Sequence, residues 1–148
     1  MANSNKRKIT VLFVLVALIV TALIGVIIAL DRSITTETLS GIDYQIGILN
    51  EDGKYEKSDK AIVSKSFNTV DGLTVEFEEK AEVTVKIFFY DEDEKFVSAT
   101  EELSSDYTFV ETDGVKYFKV VITPTDDNDI TLFEKSGYVK QVTITINK

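Results

Sequence analysis

The carboxylates of this 148-residue chain gather at two places, Asp91-Glu92-Asp93-Glu94 and Asp126-Asp127-Asn128-Asp129. Hard cations take oxygen ligands at such density, so Asp126, Asp127 and Asp129 are candidate ligands for Ca²⁺. Neither segment carries the glycine and distal glutamate of a calcium-binding loop at the required offsets, and the plainer expectation is a solvated turn. Phe88, Tyr90 and Tyr117 form a second group, because they fall out of phase with the neighbouring residues that make the better core face. Rings on the far side of a sheet could stack on sugars or anchor a partner protein, unless a loop or second sheet covers them. Ser64-Lys65-Ser66 sets hydroxyls beside an amine, but adjacent strand residues point to opposite faces, and Ser-x-x-Lys does not occur.

The missing residue types narrow the chemistry further. There is no histidine and no cysteine, which removes the commonest general base, imidazole and thiolate metal ligands, and the cysteine nucleophile. The 25 acidic residues make some close carboxylate pair unavoidable, so a pair alone does not signal glycoside hydrolysis. No glycine-rich phosphate loop is present. These absences predict a protein that is not an enzyme and has no obligatory cofactor, with a carboxylate-based envelope hydrolase as the remote alternative.

The residues that position these groups read as strands. Ile42, Tyr44, Ile46 and Ile48 alternate, then Asn50-Glu51-Asp52-Gly53 supplies a turn. Ala61 to Phe67 and Leu73 to Phe77 follow, separated by Asp71-Gly72. The strongest alternation puts Val83, Val85, Ile87 and Phe89 on one face, ending at the acidic turn Asp91 to Glu94. Short strands are predicted at Phe96–Thr100 and Tyr107–Glu111, with Asp113-Gly114 turning the chain. Val115 to Thr123 shows Phe118, Val120 and Ile122 on one face and stops at Pro124. Ile130–Glu134 and Val139–Ile146 complete about nine strands. No window here shows a helical period, and no internal repeat is found. The expectation is an all-β domain over 42–148, an antiparallel β-sandwich with short turns.

Within this pattern, Lys86-Ile-Phe-Phe-Tyr-Asp-Glu-Asp-Glu-Lys-Phe-Val-Ser and the later Val115-Lys-Tyr-Phe-Lys-Val-Val-Ile resemble a recurring signature. It belongs to the jelly-roll, carbohydrate-binding-like β-sandwich modules of Gram-positive bacterial surface proteins and of phage tail-fibre proteins. The resemblance spans about residues 61–123 and rests on core and turn positions. It implies a jelly-roll-like fold and a binding role. The chain departs from the sugar-binding members in having no tryptophan, and no binding residue carries over.

Ahead of the strands, Ile9 to Leu30 are 22 consecutive uncharged residues, preceded by Lys6-Arg7-Lys8 and followed by Asp31. A helix of that length reaches about 33 Å, enough for a hydrocarbon core of about 30 Å. A cleaved signal peptide has a shorter apolar core, and after Val20-Thr21-Ala22 eight more uncharged residues follow. The basic flank predicts a cytoplasmic N-terminus, residues 1–8, and a transmembrane helix over 9–30. The other 118 residues, with 13 bases against 25 acids, are then extracellular and carry net charge −12. That charge argues against nucleic acid. Asp31 to Gly41 is polar and reads as a linker. Ala17, Thr21, Gly25 and Ala29 recur every fourth residue, a stripe that lets helix backbones approach in lipid and predicts a homo-oligomer or docking on another membrane protein.

The combined expectation is a single-pass, membrane-anchored β-sandwich that binds a protein partner or an envelope polysaccharide through the face of Phe88, Tyr90 and Tyr117. The competing expectation is an accessory subunit of a membrane complex that docks through its helix.

Overall fold

The computed structural model describes residues 16, 19–21, 36–38, 44–68, 72–110 and 114–147. The chain divides into two units, Met1–Thr35 and Thr36–Lys148. In the first, Val16, Ile19, Val20 and Thr21 are helical and exposed. Among the described residues no helix is long and apolar enough to cross a membrane. Most of the predicted span over 9–30, with Ala17, Gly25 and Ala29, lies outside them.

The second unit is built from antiparallel strands. Twelve are described: β1 (Thr36–Thr38), β2 (Tyr44–Ile46), β3 (Ile48–Leu49), β4 (Tyr55–Glu56), β5 (Ile62–Ser64), β6 (Phe67–Asn68), β7 (Thr74–Phe77), β8 (Val83–Tyr90), β9 (Phe96–Ala99), β10 (Tyr107–Thr108), β11 (Tyr117–Pro124) and β12 (Val142–Asn147). One sheet runs β1-β12-β7-β10, the other β2-β5-β11-β8-β9, with β6 also on β11, and β3-β4 is a separate hairpin. The alternation reads correctly where it is strongest. Val83, Val85, Ile87 and Phe89 of β8, Phe118, Val120 and Ile122 of β11, and Val142, Ile144 and Ile146 of β12 share one buried cluster. Full burial of side chains this size contributes about 1.5–3 kcal/mol each.

Several boundaries differ from the sequence reading. Thr36–Thr38 pair with β12, Glu37 opposite Ile146, so ordered strand begins inside the segment read as a linker. The Ile42–Ile48 run breaks at Gly47 into β2 and β3. Tyr44 belongs to the inter-sheet core, whereas Ile48 packs on the opposite face of the larger sheet. Gly47 is required there because an added Cβ would meet the Tyr55 ring. β11 does end at Pro124, the last paired residue, opposite Val83. Ile130–Glu134 is a turn rather than a strand, and Lys135–Val139 is a short helix that drops Val139 into the core before β12.

β5 and β6 are one interrupted strand alongside β11. The interruption leaves the Val120 N–H without a backbone partner from a continuous β5–β6 strand, and the buried Ser64 hydroxyl accepts that bond at 2.8 Å while donating to the Lys65 carbonyl. A buried donor left unmet costs about 1–3 kcal/mol, so this serine has a structural role. Among the described residues every buried side-chain nitrogen and oxygen has a partner.

Candidate functional site

Two turns of the same design meet at one end of the larger sheet. In Asn50-Glu51-Asp52-Gly53-Lys54 the Asn50 Oδ1 accepts the N–H of Asp52 and of Lys54, each at 3.0 Å. In Asp91-Glu92-Asp93-Glu94-Lys95 the Asp91 Oδ1 accepts the N–H of Asp93 and of Lys95, each at 2.9 Å. The fourth residue is left-handed in both, Gly53 at φ 69° and Glu94 at φ 58°. The acidic Asp91–Glu94 segment is thus a self-bonded turn, with Lys95 Nζ on Asp93 at 3.1 Å.

The first turn belongs to the β3-β4 hairpin, which lies over the outward face of the larger sheet. Phe88 and Tyr90 do point away from the inter-sheet core, as the alternation implies, but they are not an open platform. Each is only 4% exposed, in a second cluster with Leu49, Ala61, Val63 and Val121, against which Tyr117 is half-buried. The Tyr90 hydroxyl donates to the Gly53 carbonyl at 2.6 Å, tying hairpin to sheet. Burial pushes its pKa up to about 12. Lys119 Nζ sits 4.9 Å from the centre of the Tyr90 ring and Lys86 Nζ 5.5 Å from that of Phe88. Burial and the two ammonium groups together withdraw these rings from a ligand.

At this end of the sheet the open rings are Tyr55, 45% exposed, and Phe96, 36% exposed. They border a shallow groove of about 570 Å³ between the two turns, with Tyr90 in its wall and Lys54, Lys95 and Lys119 around it. Asp52 and Glu94 also reach it. Tyr55 is fixed by its hydroxyl, which donates to the Ile46 carbonyl at 2.8 Å. Phe96 is braced by Phe88 and by Tyr90, centroids 6.0 and 6.3 Å away. A register shift between Phe89 and Tyr90 sets Phe96 opposite Tyr90. Both rings are therefore held in place before any ligand arrives. Sequence reasoning missed them because Tyr55 and Phe96 sit on different hairpins. The usable signal was the paired five-residue turn, acid or amide first and lysine last.

The predicted calcium ligands are not gathered. Lys60 already supplies a cation there: its ammonium pairs with Asp129 at 3.0 Å and Asp127 at 3.4 Å and donates to the Asp127 carbonyl. The hydrogen bond to Asp129 chiefly raises the Lys60 pKa. Asp126 instead accepts from the Asn128 amide at 2.8 Å, which lowers its pKa. Among the described residues no three acidic side chains converge on a point that could hold a metal ion. Asp126, Asp127 and Asp129 therefore form a charged turn closed by Lys60.

The described part of the site thus sets two half-open rings among three lysines and two acids. No family model, no curated protein and no solved structure matches the chain.

Proposed function

We propose that this protein is a non-catalytic binding module, anchored in a membrane by residues 9–30, whose extracellular β-sandwich holds an acidic envelope polysaccharide in the groove between its paired turns. The observation that carries this reading is the groove itself. In a chain with 25 acids and 16 bases, three lysines surround two fixed, half-exposed rings. Ring faces suit the apolar face of a sugar, and lysines suit carboxylate or phosphate substituents. The strand order supports a jelly-roll reading of the sandwich. Leaving aside β2 and the β3-β4 hairpin, β5/β6-β11-β8-β9 faces β1-β12-β7-β10, the interleaved pairing of a double Greek key.

The site of attachment fits the same reading. β1 begins opposite Asn147, and β12 there lies beside Thr74 at the start of β7. If residues 9–30 insert, the five residues Asp31–Thr35 reach at most about 18 Å. The tether is then about half as long as one that runs to Gly41.

The test uses full-length protein in detergent micelles and polygalacturonate as the acidic probe, with neutral dextran as control. Binding should favour polygalacturonate, weaken with salt, and fall at least tenfold in Lys54→Ser/Lys95→Ser. Equal binding of both polymers, or affinity indifferent to the lysine changes, rejects the groove. The accessory-subunit reading rests on the Ala17, Thr21, Gly25 and Ala29 stripe. Replacing the span with an unrelated apolar helix abolishes function under that reading and spares it under ours.

A further inference from the structure

The loop after β11 exposes two large apolar side chains in succession, Leu132 at 78% and Phe133 at 94%. The turn that carries them is braced. Thr131 donates to Glu134 Oε2 from its hydroxyl at 2.7 Å and from its N–H at 3.1 Å, while the Lys135 N–H donates to the Thr131 carbonyl. Buried Ile130 and Val139 anchor it on either side, and Lys135 Nζ donates to the Tyr44 carbonyl at 2.7 Å. A tip held this firmly loses little freedom on docking.

Beside the tip lies a hollow of about 600 Å³ at the β2 edge, lined by Ile46, Tyr55, Lys57, Ser58, Asp59 and Ile130. Ile130 is its floor and stands two residues before Leu132; the Ile130 N–H donates to the Asp59 carbonyl at 2.7 Å. Knob and hollow therefore share one surface patch. A two-fold contact uses the same patch on both copies, so a patch that carries both a knob and a hollow can serve one. Asp126 lies near enough to act on the Glu134 carboxylate beside the knob, and Lys57 is the one base lining the hollow, with Asp59 next to it.

We propose that this patch is a homodimer interface in which Leu132 and Phe133 of each copy fill the Ile46–Ile130 hollow of the other, with Lys57 meeting the acids beside the partner's knob. The orientation rests on the anchored reading given above, since two chains inserted in one membrane associate side by side. The polysaccharide groove stays outside the contact except for the Tyr55 ring, which borders both.

The absence of cysteine permits a clean test. Two differently tagged full-length chains, one with Ser58→Cys and one with Ser136→Cys, are mixed in micelles and treated with a short bismaleimide. A mixed adduct should form, should fall at least tenfold when both chains also carry Phe133→Ser, and should weaken with Lys57→Glu. At a dilution where both are monomeric, the thermal midpoint of Phe133→Ser should equal that of the parent, because within one copy the side chain is in solvent. Pairing Ser136→Cys with Ser98→Cys on β9 should give no adduct. No Ser58–Ser136 adduct, an equal adduct with Ser98→Cys, or one indifferent to Phe133→Ser overturns the proposal. So does association lost on Gly25→Leu but unchanged by Phe133→Ser, which puts the contact in the helix. Loss of polygalacturonate binding with the adduct intact overturns the groove reading alone.

Discussion

Tyr90 shows how a side chain can be placed for recognition by its strand and withdrawn from it by its neighbours. Its phase on β8 turns it away from the inter-sheet core, and the hairpin then closes over it. Because burial disfavours the phenolate, its pKa in the folded state is about 12, above the ordinary value of 10.0. A raised pKa means that the folded state binds the proton more tightly than the unfolded chain does. The stability from this group is therefore intact below about pH 10 and drains away as pH rises to about 12. Tyr90→Phe removes both the ionisation and the hydrogen bond to Gly53. At pH 7 the variant should be less stable by about 1 kcal/mol. Between pH 10 and 12 the difference should shrink, because only the parent pays to bury a phenolate. Urea midpoints of both proteins across pH 7–12 check this, and a gap constant through pH 12 contradicts it.

At the scale of elements, the paired turns predict opposite effects from removing a side chain and from adding one. Glu94 holds φ 58° with a side chain, whereas Gly53 holds φ 69° without one. Glu94→Gly relieves left-handed strain on an exposed turn and should raise stability by about 0.5–1 kcal/mol, measured by denaturant unfolding. Gly53→Ala should lower it by more than that. Its Cβ would stand 2.8 Å from the Tyr90 hydroxyl and 2.9 Å from Phe96, so strain and steric conflict add. What the sequence conveyed about elements follows the same division between local and distant causes. β8, β11 and β12 were legible because one face of each is apolar without interruption. β1 was not, since Thr36-Glu37-Thr38 offers no apolar alternation and joins the sheet through backbone pairing with β12. The hairpin's cover was equally hidden: nothing in Phe88 or Tyr90 records that residues 48–56 fold back over them. Lys60, 69 residues before Asp129, displaced the calcium expectation by the same kind of long-range contact.

For the whole molecule, the anchoring we propose raises the question of which side of a membrane would hold residues 36–148. The argument for the outside is electrostatic. Lys6, Arg7 and Lys8 precede the apolar run, and every acidic residue follows it, so under the anchoring we propose the basic end would stay in the cytoplasm. An exported domain without cysteine must be held by packing and hydrogen bonds alone, and the continuous core between the two sheets, with each described buried polar side-chain atom paired, meets that need. Such a domain should resist protease as a unit, leaving the tether as the weak point. The first described strand is β1, ahead of Ile42, so under that anchoring the tether would span residues 31–35. Intact cells treated with proteinase K should therefore lose the domain slowly, releasing a fragment that starts before Thr36, whereas a site placed by inserting Gly-Ser repeats after Thr35 should be cut far sooner. Mass measurement of the released fragment gives its first residue. A domain fully protected in intact cells and cut only after lysis places it in the cytoplasm and removes the basis for an envelope ligand.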